Sequence, residues 1–284
     1  KDRAVPVIVA ETLDAACAAL AARPGAPLLA GGTDLMVGVN AGTARPDDVI
    51  AIGRLDELRR YDHDGQQLTI GSAVAYAALM DEPIAELAPV LAQAARSVGS
   101  PQIRNAGTLG GNLGTASPAG DGTTALVALG GTVELVSTSG RRQVDLADFV
   151  TGPRRTQRRP DEIIASVTVP ILDGPQEFLK VGTRNAMVIA VASAALVVDR
   201  SRRQVRLALG SVGPRPIRCT EAEAHAAATV DWDALRSDPD AAIEFGRLAA
   251  AAAQPIDDHR STAAYRRHAV QVIARRAFER AFVR

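Results

Sequence analysis

Short apolar runs closed by glycines and polar turns fill the first part of the chain, and Ala-rich helical stretches fill the end. VPVIV at 5–9 predicts a strand, and DAACAALAA at 14–22 a helix with Thr12 as its cap. LLAGGTDLMV reads as a buried strand running into a glycine pair. DDVIAIG and QQLTIGSAV predict two more strands, with the polar turn DHDG between them. Helices are expected over Ala75–Met80 and Ile84–Val98, before a segment, 101–122, that holds six glycines. A short helix, TALVALG, then leads into GTVELVSTSGRRQVDL, an alternating hairpin turning at SG, and DEIIASVTVP follows as a strand.

The pattern changes after ILDGPQ at 171–176, a Gly/Pro linker. Strands at 177–182, 188–198 and 204–212 predict a small antiparallel sheet, and helices follow at 220–228, 239–252 and 261–282. The expected division is a domain over 1–172, with subparts of about 1–57 and 58–172, and a second domain over 173–284. There is no internal repeat.

Composition narrows the class. In 284 residues, 47% hydrophobic and 23% charged, 32 basic side chains balance 32 acidic ones, which argues against disorder and bulk nucleic-acid binding. Nine aromatics against 54 alanines leave few stacking platforms for bases. The longest apolar stretch, 186–198, is too short to span a membrane, and PVIVA is too short for a signal-peptide core, so a cytoplasmic protein is expected. The chain starts without Met, as a trimmed or processed chain does. Lysine occurs only at Lys1 and Lys180, so the interior Lys180 stands out.

Cys17 and Cys219 are too few for a thiolate zinc site or an iron–sulfur cluster; two buried thiols fit a reducing compartment better than a lone disulfide. Seven arginines from 260 to 284 face one acid, Glu279, which suits a solvated helix face or a surface meeting an acidic partner. RRTQRR at 154–159 reads the same way. His63, His225, His259 and His268 fall in polar or Ala-rich surface patterns, and no G-x-S-x-G elbow or P-loop occurs. GDGTTA at 120–125 matches a dinucleotide fingerprint but follows SPA rather than a strand.

The glycine pair in LLAGGTDL follows a strand, where free backbone N–H groups can form an anion nest that a Cβ would obstruct. By itself such a pair more often makes only a tight turn. NAGTLGGNLGTASPAGD at 105–121 adds GxxGGxxG, hydroxyls at Thr108, Thr115 and Ser117, and the Asp121 carboxylate. Two such loops suit a ligand with two phosphates, with the carboxylate on a sugar.

Together AGGTDL, TIGSA, IRNAGTLGGNL, SPAGD, TGP, DEII and KVGTRNAM resemble, in order, the FAD-binding medium subunit of the molybdenum hydroxylases, and most closely xanthine dehydrogenase-like subunits; the carbon monoxide dehydrogenase medium subunit belongs to the same family. The resemblance implies an α+β fold: a two-part FAD domain of the vanillyl-alcohol oxidase (PCMH) type, then a small domain with a three-stranded antiparallel sheet and helices. It assigns Leu29, Ala30, Gly31, Gly32, Thr33, Asp34 and Leu35 to a first pyrophosphate loop. Thr108, Gly110, Gly111, Asn112 and Thr115 fall in a second, with Asp121 on the ribose side. The backbone of Ile164 would approach the flavin ring, and Lys180 would sit at its carbonyl edge. Ala106 and Val188 depart from residues common in the family, and Tyr61, Tyr76, Phe149 and Phe178 are the aromatics open to stacking.

The implied activity is electron transfer within an oxidoreductase. A large partner subunit holds the molybdenum cofactor and a small one two [2Fe–2S] clusters; FAD in this chain passes electrons to NAD or another acceptor, with no nucleic acid and no membrane span. A dimer of heterotrimers is the implied assembly. The same subunit could serve a carbon monoxide, aldehyde or N-heterocycle dehydrogenase; a self-sufficient flavin oxidoreductase and a phosphate-ligand binding module are the other readings.

Overall fold

The computed structural model describes residues 5–283, so Lys1 and Arg284 lie outside it. The chain opens with β1 (Val7–Val9), α1 (Leu13–Ala21), β2 (Leu28–Leu29), α2 (Leu35–Asn40), β3 (Val49–Ala51) and α3 (Asp56–Arg59). β1, β3 and β2 form a small parallel sheet in that order. Thr12 caps α1 as expected, accepting the Ala15 N–H, and the apolar face of α1 (Leu13, Ala16, Cys17, Leu20) closes on Ile50, Leu55 and Leu58.

Next come β4 (Tyr61–His63), β5 (Gln67–Gly71), a 3₁₀ turn at Ala78–Met80, α4 (Ile84–Leu87), α5 (Pro89–Ser97), α6 (Pro101–Ala106), α7 (Leu109–Thr115) and α8 (Asp121–Leu129). β6 (Thr132–Ser137), β7 (Gly140–Asp145), α9 (Leu146–Phe149), β8 (Val150–Gly152), β9 (Arg155–Thr156) and β10 (Ile163–Pro170) complete this part. Its main sheet is antiparallel, ordered β4-β5-β10-β6-β7. The helix expected over Ile84–Val98 breaks at Ala88, which adopts φ −139° and ψ 65° because Pro89 bars a helical conformation before it. The glycine-rich stretch, read as loops, is largely helical: Ser100 and Thr108 cap α6 and α7 by accepting the N–H groups of Ile103 and Gly111.

β11 (Gln176–Val181), β12 (Ala192–Asp199), β13 (Gln204–Gly210) and β14 (Ile217–Arg218) form an antiparallel sheet in that order; the short β14 adds a fourth strand to the three expected. Then follow α10 (Thr220–Thr229), α11 (Pro239–Ala252) and α12 (Ala263–Phe282). β12 starts later than predicted, because Met187 takes a left-handed φ of 52° and residues 182–191 form a loop instead.

Every residue of β12 is buried, which its continuous apolar sequence demands. Ala195 and Val197 join the core of the first domain, whereas Ala194, Leu196 and Val198 join the core under α10–α12. The domains are also tied by polar groups. Gln93 on α5 donates to the Gln176 carbonyl and accepts from the Phe178 N–H, and Gln176 accepts the Val90 N–H, covering the β11 edge. Among the described residues no helix is long and apolar enough to cross a membrane.

Candidate functional site

The first glycine loop sits where β2 ends, and its close approach to the second explains why glycines are there. A Cβ on Gly31 would land inside the Ala106 carbonyl, and Gly32 takes a left-handed φ of 72°. The second segment is stitched to the chain after β5: Tyr76 N–H donates to Gly107 O, Leu109 N–H to Val74 O and Gly110 N–H to Ser72 O. A Cβ on Gly110 would overlap Ser72.

Between the two loops lies a cavity of about 490 Å³, within the usual range for cofactor sites. Twelve of the expected residues line it: Ala30, Gly31, Gly32, Thr33, Asp34, Leu35, Thr108, Gly110, Gly111, Asn112, Thr115 and Ile164. Ile164 stands beside a β-bulge between Ile164 and Ser166, where the carbonyl of the extra residue, Ala165, accepts the Ser72 N–H; such bulges re-aim strand residues at sites.

The two loops are not equivalent donors. Among the described residues the N–H groups of 31–35 have no partner, so they form a concave set of free donors. The N–H groups of Gly110 and Gly111 are already taken, by Ser72 O and by the Thr108 hydroxyl oxygen. Glycines in the second segment therefore supply close packing. The Asn112 side-chain oxygen Oδ1 is likewise occupied, accepting from the Thr123 N–H and hydroxyl and so fixing α7 to α8.

Three expected residues are not on the cavity wall. Leu29 lies behind it, its carbonyl accepting from Ile52 N–H. Asp121 and Lys180 are drawn to each other: Lys180 Nζ donates to Asp121 Oδ2 at 2.5 Å and to the Ser97 carbonyl at 3.1 Å, in a pocket where only 5% of the Asp121 and 11% of the Lys180 side chain is exposed. The pair bridges α8 and β11 instead of lining the cavity, since a buried ammonium takes the nearest carboxylate. Burial pushes the Asp121 carboxyl above its ordinary value, and the Lys180 charge only partly offsets this.

Tyr76, a buried aromatic on the wall, has a hydroxyl without a partner; burial first, then the Asp121 charge, raises its ionisation well above the usual value. Of the other candidate aromatics, Phe149 and Phe178 are core residues and Tyr61 is exposed on β4, which leaves Tyr76 as the aromatic that lines the cavity. Sequence reasoning missed Leu28, Ile52, Ser72, Val98, Ile103, Gly107, Gly114, Arg154 and Arg158. The apolar ones carry no chemical signal, and the arginines look like a solvated run. Arg154, at the tip of the β8–β9 turn, lies 3.9 Å from Asp34 across the mouth.

The two cysteines lie in different cores, Cys17 under the small parallel sheet and Cys219 under α10–α12. Burial raises both thiols, Cys219 to about 12, so neither is a thiolate at neutral pH.

The residues present suit FAD: free amides for a diphosphate, glycines where a Cβ would fill the cradle, free hydroxyls at Thr33 and Thr115, and an apolar wall with one aromatic. Comparisons with known proteins point the same way. A family model described as the FAD binding domain in molybdopterin dehydrogenase matches residues 3–172, and one described as the CO dehydrogenase flavoprotein C-terminal domain matches residues 177–281. The chain is 32% identical to the glyceraldehyde dehydrogenase medium chain of Sulfolobus acidocaldarius, over 95% of each chain. To a xanthine dehydrogenase FAD-binding subunit of Escherichia coli O157:H7 it is 35% identical, over 75% of this chain and 76% of that one. The structure superposes on carbon monoxide dehydrogenase from Hydrogenophaga pseudoflava with a TM-score of 0.88 and 28% identity, covering 98% of this chain and 97% of that one. With its two domains matched in order and the cofactor cradle formed between its glycine segments, the chain belongs to the FAD-binding medium subunits of the molybdenum hydroxylases, a family of oxidoreductases.

Proposed function

We propose that this chain is the FAD-carrying electron relay of a multi-subunit dehydrogenase, taking electrons from [2Fe–2S] clusters in a small partner and delivering them to NAD or another acceptor. The observation that carries the reading is the free-amide nest of residues 31–35 opening on a cavity of about 490 Å³. When bound, FAD supplies the conversion between one-electron and two-electron transfer. The chain's own residues bind and orient it: the 31–35 amides take the diphosphate, Ile164 and Tyr76 wall the cavity, and the tight contact of Gly31 with Ala106 sets its width. Asp121 and Lys180 are assigned to the ribose and the flavin edge through exchange of their mutual contact for contacts with the cofactor. A large partner holding the molybdenum cofactor selects the substrate, and a dimer of heterotrimers, in the cytoplasm, is the proposed assembly.

Two relatives favour different substrates. The glyceraldehyde dehydrogenase chain aligns over nearly the whole length, whereas the xanthine dehydrogenase subunit is slightly more identical over a shorter span. The deciding experiment is an absorption spectrum of the chain purified alone, then of the complex it co-purifies in. A flavin spectrum in the chain, with iron–sulfur absorbance appearing only in the complex, is the expected result; a colourless chain that takes up no FAD refutes the reading. Turnover by the complex of an aldehyde against a purine then separates the two substrates.

A further inference from the structure

The arginine run at 154–159 divides in the fold. Arg154, Arg155 and Arg159 are exposed and Arg158 is half-buried; Arg154, at the mouth, and Arg158 line the cofactor cavity. Arg154 has Asp34 within ion-pair distance, but Arg158 has no carboxylate of its own. The nearby Glu162 is taken by Arg142, which donates Nε and Nη2 to its two oxygens at 2.6 and 2.8 Å, and by the Arg159 N–H at 2.7 Å. Arg158 gives only Nη1 to the Glu162 carbonyl, at 2.6 Å; among the described residues Nε and Nη2 have no partner. That bond fixes the guanidinium against the strand that carries Ile164.

Arg158 is thus a half-buried cation on the cavity wall, held through Nη1, with two donor nitrogens unpaired among the described residues. The wall carries two arginines against one carboxylate, Asp34, which Arg154 meets; Glu162 and Asp161 act on Arg158 through space, but neither is in ion-pair contact with it. Burial lowers the Arg158 guanidinium from its usual value and the charges of Glu162 and Asp161 only partly offset this, so an anion placed against its unpaired donors would be stabilising. Its geometry is that of a fork waiting for an anion.

We infer that Arg158 is a cofactor-binding residue that neutralises negative charge on the bound dinucleotide, a role not visible in the glycine motifs. The inference rests on the flavoprotein reading. It is tested by titrating full-length chain, freed of flavin, with FAD and with riboflavin at low and high salt, for wild type, Arg158→Gln and Arg158→Lys, with the flavin reduction potential measured in each loaded protein. Arg158→Gln is expected to weaken FAD about ten- to a hundredfold, with a flatter salt dependence, and Arg158→Lys to recover much of the loss. Unchanged riboflavin binding assigns the charge to the diphosphate. Equal weakening of riboflavin with a more negative potential assigns it to the reduced ring. FAD affinity within twofold of wild type in Arg158→Gln, with the same salt dependence and potential, overturns the inference. If wild type itself binds no FAD, the flavoprotein reading fails, and this inference with it. Unfolding curves of the two variants separate a folding defect from loss of a contact.

Discussion

Single atoms decide the cradle. Gly31 is required by distance rather than by φ, since any Cβ there meets the Ala106 carbonyl of the other loop. Gly31→Ala is expected to push the loops apart and abolish stoichiometric flavin uptake, read as the ratio of flavin to protein absorbance. Gly65, on a polar turn where a Cβ meets nothing, serves as comparison: Gly65→Ala strains a φ of 89° but keeps the flavin. Much of the cavity wall was legible at this scale, the glycine pair after β2 as a possible nest and the individual residues through the ordered motifs that carry the family resemblance. The neighbours of Asp121 were not. A carboxylate and a lysine lying 59 positions apart, drawn together by burial, leave no local trace.

At the level of elements, the sequence revealed those whose pattern is self-contained. The β6–β7 hairpin, α1 with its Thr12 cap and the three C-terminal helices form where periodicity and turn residues put them. It hid those decided by context. α7 was concealed because its three glycines disfavour helix, yet the Thr108 cap and hydrogen bonds to Ser72 and Val74 offset that preference; α6 is a short helix capped by Ser100 at the edge of the same glycine-rich stretch. α4 and α5 were merged because the apolar pattern continues across Pro89. The connection from β9 to β10 is pinned by one buried carboxylate. Burial pushes Glu162 up, but the Arg142 guanidinium and the Arg159 amide overcome it and hold its carboxyl below the ordinary 4.5. Its folded pKa being depressed, the stabilisation is complete above that value and is lost as pH falls through the folded pKa. Thermal unfolding of wild type is therefore expected to drop on acidification below about pH 4.5. In Glu162→Gln that acid limb is shallower and stability at neutral pH lower, as a series of melting curves checks.

Across the whole molecule, the two domains share material. Phe178, Ala195, Val197 and Ala208 from the second sheet complete the first core, and the Asp121–Lys180 pair crosses the same boundary. Removing one partner leaves the other charge buried, so Asp121→Leu and Lys180→Met are each expected to cost about 3 kcal/mol. The double change Asp121→Leu/Lys180→Met restores most of that, measured as a double-mutant cycle in denaturant; additive losses would show that the two do not act as a pair. The domain order could be read from the sequence; this sharing could not, because an unbroken apolar strand shows that both faces are covered without showing by which elements.

Sharing of β12 also sets a timetable for synthesis. Its second face closes on α12, whose Phe278 and Phe282 lie far downstream of β12 in the chain. Chains emerge N-terminus first at about 5–20 residues per second, so the nascent chain displays an uncovered apolar strand until α12 has been made. A shortened C-terminus would leave that strand bare for good, and such a product is a substrate for chaperones and proteases before it can ever meet a cofactor.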